Sequence, residues 1–436
     1  ILMATMTLVK GMVGAGLLGL PKAFGSVGLA VAFAGSVVLA VINALGAQRL
    51  IESKLAVQAS HKKALAEKAS GSENDDDDDD DSDTDAVADP LAKDYGLGPV
   101  TAVSVHLFGK VGLAAAAIAV LGTQLGIAIA YVCYISVTLD SMSFFGDYPH
   151  AVRIICCLIY CALCQIRSLG SLAVLSVVAL MAYALVVIDL GYRGFDNIAN
   201  QTNIAAVDAW VPPKWDGFSN FFGSTIFAFE GIVLAQYVFD DMRLETMGPF
   251  AGVLKRSYFV SWALFSVVGI YGYMAYGDTV VAPIYLNFPT GQVDVISDKL
   301  ILVLVLFLSF ALQMFPVFSF ADHLAIRQKR PGTDIVSDSS SDDEEFGLPR
   351  HRKGKAILDF IVRCAIVILL CFVAELLPKA SCVTDLVGGV FMSLMAFALP
   401  GALHLGAYKC KLPPLVVAQD FVLIATGTIS MVMSIH

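Results

Sequence analysis

The chain has 436 residues, 57% of them hydrophobic and only 15% charged, with a mean hydropathy of +0.74 and a formal net charge of −10. Soluble domains carry about 25% charged residues, so this composition excludes an ordinary water-soluble globule. Crossing about 30 Å of hydrocarbon takes about 20 apolar residues per helix, and the chain holds many such runs, whereas the alternating stretches of about 10 residues that build a membrane barrel are missing.

Eleven helical spans are predicted, at about 2–25, 28–50, 109–138, 151–168, 171–190, 217–239, 257–277, 299–322, 357–377, 385–407 and 413–435. The first contains "LVKGMVGAGLLGLP" (residues 8–21), with four glycines, a proline and a lysine at membrane depth. Glycine costs a helix about 1 kcal/mol and proline about 3 kcal/mol. Irregular backbone inside a bilayer is tolerated only where protein or a cavity surrounds it. A discontinuous helix is therefore expected, broken near Gly14-Ala15-Gly16 and restarting at Gly16 or Leu17. Its unpaired N–H groups and helix dipole would suit a carboxylate. The plainer alternative is that these glycines only allow close packing, as Gly122 and Gly126 of the third span are expected to do.

The first cytosolic loop, about 55–105, carries an acidic run from Asp75 to Asp81, and the later loop at about 325–356 combines "SDSSSDDEEFG" with the basic "RHRKGK". Blocks of like charge repel, and both loops are expected to be disordered. Ser339, Ser340 and Ser341 each have an acidic residue three positions on, which makes a kinase a possible partner.

The sixth span, "GSTIFAFEGIVLAQYVFDD", has Glu230-Gly231 at its centre, and a carboxylate at that depth usually faces an interior pathway. Interrupted helices at matching places in two halves mark inverted-repeat transporters. Spans one and six lie five apart, so residues 1–190 and 217–407 are expected to form two inverted five-helix repeats, with an additional helix at 413–435. The fold class is all-α and polytopic.

With the N-terminus in the cytosol, 21 of the 28 Lys and Arg residues fall inside and six outside, with Lys10 in the first span. The positive-inside rule supports that orientation. The sequon Asn200-Gln201-Thr202 then lies outside. Seven of the nine cysteines sit in spans, with no metal-ligand or disulfide pattern. The chain opens at Ile1 rather than Met, so preceding residues are expected, and no cleavable signal is. H-E-x-x-H and G-x-S-x-G are absent, as is any repeated pore filter, which disfavours an enzyme or a channel.

"LVKGMVGAGLLGLPKAFGSVG" resembles the first helix of the amino acid/auxin permease family, "FAFEGI" its sixth-helix motif and "QLGIAIAYV" its third. "SFALQMFPVF" in the eighth span resembles the proton-coupled branch. The resemblance implies the fold of the amino acid–polyamine–cation transporters and a secondary active transporter of amino acids, small neutral ones, working by alternating access. No cofactor, metal or nucleic acid is implied. The coupling ion would be H+, with Na+ as alternative, and a sensor of the same fold is a second reading. Two departures are Thr7, where some proton-coupled members have histidine, and "AQYVFDD" after the sixth-helix motif.

The site residues follow. Gly14, Ala15, Gly16 and Leu17 would hold the substrate carboxylate, and the carbonyls of Phe227, Ala228 and Phe229 its ammonium. Tyr131 would close over the substrate or merely bond a neighbouring helix. Glu230 is the candidate proton carrier, since low-dielectric surroundings favour an uncharged carboxyl; alternatively it forms a fixed ion pair, with Lys10 as partner. Ser309 and Gln313 would line the site or only glue helices. The location is a plasma membrane or a vacuolar or lysosomal membrane.

Overall fold

The computed structural model describes residues 2–70, 98–166, 169–200, 214–242, 247–288, 293–328, 353–377, 380–409 and 411–435. Ser339, Ser340 and Ser341, the acidic run and most of the sequon lie outside them. Among the described residues the chain is all-helical. The helices are α1 (Leu2–Met12), α2 (Leu20–Val27), α3 (Leu29–Ser70), α4 (Pro99–Asp140), α5 (Pro149–Leu163) and α6 (Leu169–Asn200). They continue as α7 (Phe218–Ala228), α8 (Ile232–Asp241), α9 (Met247–Tyr276), α10 (Val293–Gln328) and α11 (Lys353–Leu376). Then α12 runs unbroken from Ala380 to Ala407, with π-helical turns at Val387–Met392 and Leu394–Ala398, and α13 is Pro414–Ile435. Among the described residues seven helices are long and apolar enough to span a membrane, and the bent pair formed by α1 and the segment Ala15–Val27 makes an eighth. The helix α5 is apolar but shorter.

Several helices exceed their expected spans, α3 and α4 among them. The helix α3 continues to Ser70 because "IESKLAVQASHKKALAEKAS" is rich in Ala, Leu, Lys and Glu, all strong helix formers. The helix α4 begins at Pro99, whose ring suits a first helical turn. Helix therefore covers both flanks of the expected loop at 55–105. Gly109, with φ of 57°, puts a kink in α4 at the level where its span was expected to begin. Such a φ is in the left-handed region that glycine adopts without steric cost. Beyond the kink α4 meets the far part of α3, with the rings of His61 and His106 edge to face at 6.1 Å.

Glycine sets how closely the central helices approach. A Cβ on Gly122 would lie 2.2 Å from Phe391 and one on Gly126 2.5 Å from Val387, so these two seat α4 against α12 as expected. Charges cluster at the two ends. At one end Lys54, only 1% exposed, donates to both carboxylate oxygens of Asp240 at 2.6 and 2.8 Å, tying α3 to α8. Nearby, Arg49 pairs with Glu52 at 2.7 Å and Asp420 at 3.1 Å, and His404 stands 2.7 Å from Asp420. At the other end Arg153 joins Asp140 and Glu375, and Lys214 pairs with Asp278 at 2.7 Å. That carboxylate holds the Lys214 ammonium above its ordinary pKa.

Candidate substrate site

The first break falls between Met12 and Ala15. Gly14 is extended (φ −130°, ψ −156°), and the chain resumes as a 3₁₀ turn over Ala15–Gly19 before α2, which has Pro21 in its first turn. The whole bends by 49°. Of the four N–H groups expected to face a carboxylate, two are used internally: Gly14 donates to the Met12 carbonyl at 3.0 Å and Leu17 to the Gly14 carbonyl at 3.3 Å. Ala15 and Gly16 have no backbone acceptor among the described residues. The donor set is thus narrower than the motif suggests, because a 3₁₀ turn consumes the N–H three residues on.

The second break separates α7 from α8 at Phe229–Gly231. The Phe227 carbonyl accepts the Glu230 N–H at 3.4 Å, so it is not left open as expected. The Ala228 and Phe229 carbonyls accept no backbone hydrogen bond among the described residues. Phe229 itself is buried, its ring 5.0 Å from Phe265 and 6.3 Å from Tyr258.

The two breaks touch. A Cβ on Gly16 would stand 2.6 Å from the Ala228 Cα and 2.9 Å from its nitrogen, and one on Gly231 would be 2.8 Å from the Met12 Cγ. Unpaired donors of Ala15 and Gly16 therefore sit beside unpaired acceptors of Ala228 and Phe229. That pairing of partial charges complements a small zwitterion: helix N-terminal N–H groups take a carboxylate, and C-terminal carbonyls take an ammonium.

Side chains frame this junction. The Tyr131 hydroxyl lies 3.3 Å from where a Gly14 Cβ would be, and Tyr183 of α6 donates to the Gly14 carbonyl at 2.9 Å. Tyr183 was not singled out in the sequence, where "LMAYAL" reads as ordinary apolar helix. Glu230 accepts from Gln313 Nε2 of α10 at 3.0 Å. Ser309 shares the Gln313 face four residues earlier and forms no side-chain hydrogen bond among the described residues. A cavity of about 10 Å³ lies behind the second break, lined by Asn43, Thr123, Glu230, Gly231, Met392 and Met395. It has room for about one water molecule.

The expected Lys10–Glu230 bridge does not form. Gln313 donates to the carboxylate, and Met12 packs against Gly231 while Leu234 of α8 packs against Gly11. Tyr285, from the segment Ile284–Asn287, pairs by its hydroxyl with that of Thr138 on α4.

The sequence profile of the family described as "Transmembrane amino acid transporter protein" matches residues 1–436. The chain belongs to this family. That description is of membrane transporters rather than enzymes. Vacuolar amino acid transporter 4 of Saccharomyces cerevisiae is 28% identical over 210 residues, 46% of this chain and 29% of the relative. Vacuolar amino acid transporter 7 of the same yeast is 25% identical over 200 residues, 44% of this chain and 40% of the relative. Amino acid transporter AVT3B of Arabidopsis thaliana is 25% identical over 331 residues, 70% and 71% of the two chains. The matched stretches thus span less than half the length of either yeast relative.

Proposed function

We propose that this family member is a secondary active transporter that moves small neutral amino acids by alternating access and is driven by protons. The observation that carries the reading is the contact between the two helix breaks, where the Ala15 and Gly16 donors meet the Ala228 and Phe229 acceptors beside Glu230. A zwitterion bound there would have its carboxylate on the first break and its ammonium on the second. Glu230, on the same break as the ammonium site, would take the coupling proton, with Gln313 holding its carboxyl. Two interrupted helices five spans apart favour a five-plus-five inverted repeat within eleven spans, with α13 as the additional helix. The names of the two yeast relatives favour a vacuolar membrane, with the N-terminus cytosolic.

The test is uptake of labelled amino acids into proteoliposomes under separate proton and sodium gradients, with the native chain and Glu230→Gln. Glutamine keeps the shape and can still bond Gln313 but binds no proton. Proton-driven uptake that is lost in the variant is the expected result. Uptake driven by sodium alone, or proton-driven uptake surviving the substitution, would remove the proposed coupling.

A further inference from the structure

A second carboxylate faces a broken helix. Asp385 lies in the first part of α12, the outer end in the orientation proposed above, and accepts a hydrogen bond from the Ser224 hydroxyl of α7. Around that bond the two helices touch backbone to backbone. A Cβ on Gly223 would be 2.4 Å from the Asp385 carbonyl oxygen, and one on Gly388 would be 1.9 Å from the Gly223 oxygen and 3.0 Å from the Phe227 nitrogen. The start of α12 is therefore the wall directly behind the end of α7, where the candidate ammonium acceptors begin.

The groups facing Asp385 are few. Ser224 comes from α7, and Lys22 of α2, exposed on the outer side, is the cation within electrostatic reach. Tyr134 of α4 approaches through the neighbouring Thr384, and α13 brings only the hydroxyls of Ser430 and Ser434 beside Gly389. No ion pair holds Asp385 among the described residues. A carboxylate in such a place is costly to keep charged and usually functional. A hydrogen bond to an ionised oxygen is about twice as strong as one to a neutral carboxyl.

From this geometry we infer that Asp385 is a positioning residue with its own proton site: it binds a proton from the outer side and, through Ser224, sets how firmly α7 is held against α12, and hence how the second break is presented to substrate. One Asp385 oxygen takes the proton from outer water while the other keeps the Ser224 bond in weakened form. The inference rests on the proton-coupled reading above but concerns a different residue and a different readout.

Full-length wild type, Asp385→Asn and Ser224→Ala are melted in detergent from about pH 5 to about pH 8, a range that brackets the titration of a desolvated carboxyl. The same proteins are reconstituted for uptake kinetics at the same outer pH values. The expected result is a difference in melting temperature between wild type and Asp385→Asn that changes with pH. The dependence of KM on outer pH should be about fivefold shallower in Asp385→Asn, matching the loss of one charge-assisted hydrogen bond. Ser224→Ala, with the carboxylate intact, should show the same flattening. A melting difference that is constant with pH overturns the inference even where proton-driven uptake is found. A changing difference in a protein that a proton gradient does not drive would instead remove the coupling proposal and leave the Asp385 proton site standing. Should Asp385→Asn fail to survive solubilisation, a Ser224→Ala KM profile parallel to wild type overturns the inference.

Discussion

Replacing Gly16 by alanine tests whether the two helix breaks must touch. The added methyl would sit 2.6 Å from the Ala228 Cα and 2.9 Å from its nitrogen, and its obstacle is backbone, which cannot rotate aside. Restoring contact at 3.4 Å requires the breaks to part by about 0.8 Å, at an overpacking cost of about 1–3 kcal/mol. A misplacement near 1 Å at a reacting or binding centre lowers turnover by about 100-fold. The assay is initial-rate uptake in proteoliposomes, with monodispersity on size exclusion as the check for folding. Uptake by a well-folded Gly16→Ala protein within about threefold of wild type would refute the argument that backbone contact between the breaks forms the site.

Three further substitutions probe the frame. Tyr183→Phe removes the donor to the Gly14 carbonyl, a loss of about 1 kcal/mol, so KM for substrate should rise about fivefold with expression unchanged. Lys54→Met leaves Asp240 without its lysine; with that carboxylate 34% exposed, the cost should be about 1–2 kcal/mol, read as a fall of about 2 °C in melting temperature. Asp420→Asn takes one charge from the buried cluster with Arg49 and His404; at 0% exposure the expected loss is about 3 kcal/mol, so the melting temperature should fall further than in Lys54→Met.

Both helix breaks were legible in the sequence, since glycines within an apolar run and a lone carboxylate at mid-span cannot be placed cheaply in lipid without an interior use. Which peptide groups stay unpaired was not. That depends on the 3₁₀ turn over Ala15–Gly19, which ties up Leu17, and on the turn that ties up Phe227. Neither turn leaves a mark in residue type. The same limit explains Lys10 and Glu230, whose opposite charges beside the two helix breaks suggested a bridge. Their separation is decided by Met12 and Leu234 packing on glycines. Tyr183 and Asp385 became visible only when α6 and α12 were seen beside the breaks, because partners 169 and 161 residues away leave no local pattern. The cytosolic reach of α3 was readable from helix propensity but obscured by attention to hydropathy, which ends a span where the apolar run ends.

That reach turns α3 into a lever. It is one helix of 42 residues, clamped at Lys54 to the inner half of the broken span and continuing 16 residues past the clamp. At about 1.5 Å per residue the segment past the clamp, which meets α4 at His61, is about 24 Å long, so a tilt of about 10° at the clamp moves its tip by about 4 Å. Rearrangement of α8 during a cycle would therefore be magnified at the cytosolic end of the rod, where a spectroscopic label could follow it without touching the buried site.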